Sequence, residues 1–218
     1  MIEVSVVSCR EEFGLDWRTP LICSLAQHLA RLDEFQDYGA QGQDVSIEVL
    51  LTDRSCHGQY LGHDIHSLGC FAIAGSEPDT FLDRYLVLIN MEREVFDFLV
   101  RHANTKGEVS SLDEALNDWL LTLPHELAHA AEFIAATKGR TPREVVCDAG
   151  GNATVLERTL LDGHTIEELE RMGLMHAYNE AVELRIDFLA GRWMQMVVDK
   201  SSFKLEIEDA VKLHFPRF

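Results

Sequence analysis

LTLPHELAHAAEF, residues 121–133, holds two histidines four apart with a glutamate directly after the first. Residues i and i+4 of an α-helix lie on one face, one turn apart. If this stretch is helical, His125 and His129 bring two imidazoles to one place. Glu126 is rotated from His125 by about 100°, so it stands beside that place. Leu127, Ala128, Ala130 and Ala131 are small or apolar, as suits a helix packed inside a domain. Two histidines in such surroundings are costly without a partner, and a metal ion is a suitable one. Catalytic zinc takes three protein ligands and keeps one position for water, which a nearby carboxylate can deprotonate. His125 and His129 are therefore candidate zinc ligands, and Glu126 is a candidate general base. The alternative is a histidine pair satisfied by other neighbours or by solvent.

Working outward, Leu112, Leu116, Trp119, Leu120, Leu123, Leu127, Ala130, Ala131 and Ile134 recur at spacings of three and four. That predicts one apolar helical stripe. Ser111 with Glu114 three residues later resembles a capping box at its start, and Gly139 is a natural stop. Pro124 lies inside the stripe. It lacks an N–H and crowds Leu120, so a kink or a fresh helix start is expected near 122–124. Residues 139–164 are less regular, and helices are expected over 165–172 and 177–198.

Upstream, the β-branched residues 2–7, the alternating 45–51 and the apolar 85–89 predict strands, with a short one over 71–74. Helical spacing covers 20–35, with Pro20 placed in a first turn. Residues 92–102 are a further helix candidate, and 52–69 are expected to be a loop. The fold class is thus α+β. One domain spans 1–218, with a mixed part over 1–110 holding a small sheet and a mostly helical part over 111–218.

A third zinc ligand is needed. A histidine six residues after His129 would supply it, but Ala135 stands there. An acid on a later helix is the remaining option. His176, Glu180, Glu183 and Asp187 lie at spacings of four, three and four, so they share a helical face. For an arbitrary helix a solvated acidic stripe is the simpler reading.

HELAH together with Glu183-Leu-Arg-Ile-Asp187-Phe-Leu-Ala190-Gly191-Arg-Trp193 resembles the gluzincin branch of zinc metallopeptidases. It is similar to the ELxxDxxAGxW segment of bacterial neutral zinc metallopeptidases. The resemblance covers residues 121–134 and 176–195 only. It implies a zincin-like fold and peptide-bond hydrolysis with a peptide or protein substrate. It also implies Glu183 as third zinc ligand and Asp187 as the acid that holds a ligating histidine, a role with a physical basis of its own. Asn179-Glu180-Ala181 resembles the third-ligand segment of thermolysin-like enzymes instead. In that register the supporting acid falls on Leu184, which cannot serve, so Glu183 is favoured over Glu180. Tyr178, with His176 and His164 as alternatives, is the candidate oxyanion donor. The strand at 85–89 is the candidate edge to which a substrate adds.

Other features weigh less. His57, His63, Asp64 and His66 form a cluster most simply read as a polar loop, and Cys147 as a buried thiol. Acidic residues outnumber basic ones 37 to 19, for a net charge of -18. That charge repels phosphate backbones and anionic membranes. Five scattered cysteines without a CxxC pair suit reduced thiols and a cytoplasmic location. Neither a signal peptide nor a transmembrane segment is read. Two alternative functions remain: a catalytically silent zincin scaffold used for binding or regulation, and a zinc hydrolase of a small-molecule amide.

Overall fold

The computed structural model of the chain describes residues 1–39, 44–53, 68–72, 83–97, 100, 111–148, 171–173, 175–200 and 202–214. The β-branched segments form β1 (Ile2–Ser8), β2 (Val45–Thr52) and β4 (Tyr85–Asn90), with β3 at Gly69–Ala72. The short strand therefore begins two residues before its expected start. The sheet order is β1-β2-β4-β3. β1, β2 and β4 run parallel, and β3 pairs antiparallel with β4, placing Gly69 opposite Ile89.

Side chains alternate across this sheet. Ile47, Val49, Leu51, Val87 and Ile89 face the main core, whereas Leu50, Leu86 and Leu88 form a second cluster. Such period-two burial on both faces is why β4 reads as an unbroken apolar run. β4 lies between β2 and β3. The expectation that residues 85–89 offer a free edge is therefore corrected: both edges of β4 are spent on ladders.

Helices cover the main-core face. The predicted helix over 20–35 is two pieces, α2 (Thr19–Ala30) and α3 (Asp33–Gln36), because Leu32 adopts an extended backbone with ψ 125°. Gln36 stabilises the break. Its Nε2 donates to Ala30 O at 2.8 Å and to Ile2 O at 2.7 Å, while its Oε1 accepts from Ile2 N at 2.8 Å. Ahead of them, α1 is one turn, Glu11–Gly14. Residues 93–97 are helical, as expected for the start of 92–102.

The long apolar stripe forms α4 (Ser111–Thr137), which passes through Pro124 as one helix. No fresh start occurs at 122–124. Leu116, Trp119, Leu120 and Leu123 before the proline, and Leu127, Ala130, Ala131 and Ile134 after it, are all fully buried. Proline removes one backbone hydrogen bond, and burial on both sides offsets that loss. α4 stops where expected: Lys138 and Gly139 take φ 56° and 74°, and Gly139 N–H donates back to Ile134 O at 3.0 Å. α5 follows at Pro142–Asp148.

α6 (Met175–Lys200) contains the whole acidic segment. It buries Ile186, Ala190, Trp193 and Val197, a three-and-four spacing that fixes which face meets the core. α7 (Phe203–His214) was not expected from the sequence; Phe203 and Ile207 anchor it. Among the described residues, no helix is long and apolar enough to cross a membrane.

Candidate metal centre

α4 presents His125 and His129 one turn apart, their rings 5.0 Å between centroids and 69° between planes. α6 brings Glu183 to them. Its Oε2 lies 3.5 Å from His125 Nε2 and 3.7 Å from His129 Nε2. One donor atom from each of the three side chains lies within 4.8 Å of the other two. Ligands held about 2.0–2.1 Å from a tetrahedral zinc ion stand roughly 3.3 Å apart. The two separations from Glu183 are near that edge length, and the trio could hold a metal ion.

His125 Nδ1 lies 3.0 Å from Asp187 Oδ1. A carboxylate only accepts, so this ring nitrogen carries a proton and donates; in the neutral form of the ring, Nε2 is then the nitrogen available to a metal ion. A ligating histidine is held in this way at metal sites. His129 is the more enclosed of the two. Burial, followed by repulsion from His125, pushes its pKa down to about 4. It is therefore neutral, and able to ligate, throughout the physiological range. Glu126 is also buried, at 9% exposure.

The carboxylates that complete the cluster are open to solvent, Glu183 at 56% and Asp187 at 63% exposure. Glu180 turns elsewhere: its Oε1 lies 3.3 Å from His176 Nε2 on the same helix. Of the two candidate third ligands, Glu183 is the one beside the histidine pair. Tyr178 belongs to α6, but its side chain is outside the described residues, as is that of Cys147. His57, His63, Asp64, His66 and His164 also lie outside them.

A supporting contact was missed at the sequence level. Arg185 donates twice to Glu132, Nε to Oε1 and Nη2 to Oε2, both at 2.7 Å. Glu132 lies three residues after His129, and Arg185 two after Glu183, so this fork joins the ligand-bearing segments of α4 and α6. Local periodicity carries no signal for a pair 53 residues apart.

Comparison of the chain with protein-family models, curated proteins and solved structures finds no match.

Proposed function

We propose that the chain is a zincin-like, zinc-dependent hydrolase of peptide bonds. One observation carries the proposal: donor atoms of His125, His129 and Glu183 converge while Asp187 occupies the far nitrogen of His125. An accidental acidic stripe has no reason to supply both a third donor and a hydrogen-bond acceptor behind a histidine. Support for the fold comes from a small mixed sheet preceding the motif helix, with its antiparallel outer strand packed along that helix.

When bound, zinc supplies Lewis-acid polarisation of the scissile carbonyl and a water of lowered pKa. His125, His129 and Glu183 would hold it, and Asp187 fixes the His125 ring. Glu126 Oε accepts the proton of the attacking water and returns it to the leaving amine. Tyr178, on the same helix as Glu183, is the proposed donor to the developing oxyanion. The exposure of Glu183 and Asp187 favours a polymeric substrate over a small amide enclosed in a pocket. β3 has no further strand on its outer side among the described residues, so it replaces β4 as the proposed edge for substrate addition.

The test pairs metal content with turnover. Wild type should hold one zinc per chain, Glu183→Ala should lose it, and Glu180→Ala should keep it. Glu126→Gln should retain zinc and abolish cleavage of a mixed peptide library. Retained cleavage would remove the general-base role, and full zinc in Glu183→Ala would remove the ligand assignment.

A further inference from the structure

We infer that Gly69, on the outer strand β3, is a positioning residue for Glu126. The inference rests on the reading of Glu126 as general base.

Gly69 does not take the left-handed backbone that would demand glycine. What demands it is space. A Cβ at this position would stand 2.6 Å from Thr122 Cγ2, 3.0 Å from Glu126 Cγ and 3.0 Å from Leu88 O. Thr122 and Glu126 are one turn apart on α4, and both are buried. Glycine inside a strand otherwise weakens it, and close approach of another element is a recognised reason to keep one. Here the approaching element is the helix that carries the candidate base.

The neighbours differ in how far they can yield. Leu88 O belongs to the strand paired with β3, so moving it disturbs the ladder. Thr122 is β-branched, and its χ1 is restricted in a helix. Glu126 is unbranched and has the freest torsions of the three. Pressure from a side chain at position 69 therefore passes into the Glu126 rotamer. Two residues on, Phe71 meets Phe133 of α4 with ring centroids 5.8 Å apart. That contact sets the strand along the helix, so Gly69 cannot slide away from Glu126. The flat surface of the glycine thus selects the Glu126 rotamer. A general base must lie within hydrogen-bond reach of its proton, and a misplacement of about 1 Å can cost on the order of 100-fold in rate.

Gly69→Ala, Thr122→Ser and the double variant separate this role from a loss of packing. Thr122→Ser removes the Cγ2 that meets the new Cβ most closely, and leaves Glu126 pressed. Gly69→Ala should keep one zinc per chain and the wild-type KM, with kcat lower by at least about tenfold and a reduced thermal midpoint. The double variant should recover the midpoint and keep the low kcat. Should Gly69→Ala not fold, the double variant carries the test alone. Recovery of kcat in the double variant, or kcat within twofold of wild type in Gly69→Ala, overturns the inference. A second readout needs no turnover: crystal structures of the metal-free wild type and double variant should show the Glu126 carboxylate displaced. An unmoved carboxylate overturns the inference even if wild type cleaves no peptide, an outcome that would count against the peptidase reading alone.

Discussion

Asp187 holds His125: the Oδ1 of one lies 3.0 Å from the Nδ1 of the other, across two helices and 62 residues of chain. The contact fixes the ring tautomer and aims Nε2 at Glu183. Asp187→Ala should therefore weaken zinc binding by about 10–100-fold without changing the stoichiometry at saturation. Asp187→Asn, whose carbonyl can still accept the Nδ1 proton, should lose less. Competition with a chromophoric chelator measures both. Equal affinity for wild type and Asp187→Ala would show that the contact is incidental.

The Arg185–Glu132 fork should matter to stability as well as to the site. Each arm is a charge-assisted hydrogen bond, and Glu132 is mostly enclosed, at 13% side-chain exposure. Arg185→Met should destabilise by about 1–2 kcal/mol and weaken zinc binding several-fold, because α6 loses a tie close to Glu183. Arg185→Lys should rescue only part of this, since an ammonium cannot make the planar fork. Urea unfolding and the same chelator assay give the two readouts.

Acid sensitivity should trace in part to Asp16. Arg18 is buried, and its cation lies over Phe96 and Trp119 at 5.3 and 5.0 Å. Asp16 accepts from Arg18 Nε and Nη2, both at 2.9 Å, and from the Arg18 backbone N–H at 2.8 Å. Burial works to raise the Asp16 pKa, but these hydrogen bonds and the Arg18 charge outweigh it and hold it below its ordinary 3.8. A carboxyl depressed in the folded state adds stability above its unfolded pKa, and that contribution is lost as pH falls through the folded pKa. The loss therefore falls below about pH 4. Asp16→Asn should cost about 3 kcal/mol at neutral pH, because it leaves a buried cation without its counter-charge. It should also flatten the decline below pH 4 in urea midpoints. An acid limb parallel to wild type would show that Asp16 is not its source.

Trp193 should be the most sensitive core position on α6. It is fully buried, meets Phe35 and Tyr38 edge to face at 5.3 and 5.8 Å, and donates its indole N–H to Glu34 Oε1 at 3.2 Å. Trp193→Ala should cost about 3–5 kcal/mol. Trp193→Phe should cost less, since the ring contacts survive and Glu34 keeps Arg192 at 2.7 Å. Thermal unfolding of the two variants checks the order.

Much of this was legible in the chain because it is local. Alternating β-branched residues mark β1 and β2, and an apolar stripe marks α4, although the proline within it suggested a kink or a fresh start where the helix runs on as one element. Four-residue spacing alone puts His125 with His129 and Glu183 with Asp187. Two misreadings share one cause. The 20–35 helix breaks at Leu32 because Gln36 bonds to Ala30 and Ile2, the second of these a contact with β1. Gly69 fell in a predicted loop because its partner strand and the helix against it lie elsewhere in the sequence.

The sequence by itself determined which side chains share a helical face, since 3.6 residues per turn follows from backbone geometry wherever a helix forms. Only the tertiary structure decided that Glu183 rather than Glu180 meets the histidines, that β4 is interior, and that Arg185 finds Glu132. The placement of β4 follows from its ladders with β2 and β3, whereas the Glu183 and Arg185 contacts depend on the rotation of α6 about its axis. That rotation is set by burying Ile186, Ala190, Trp193 and Val197 against residues distant in the chain, which no local spacing records.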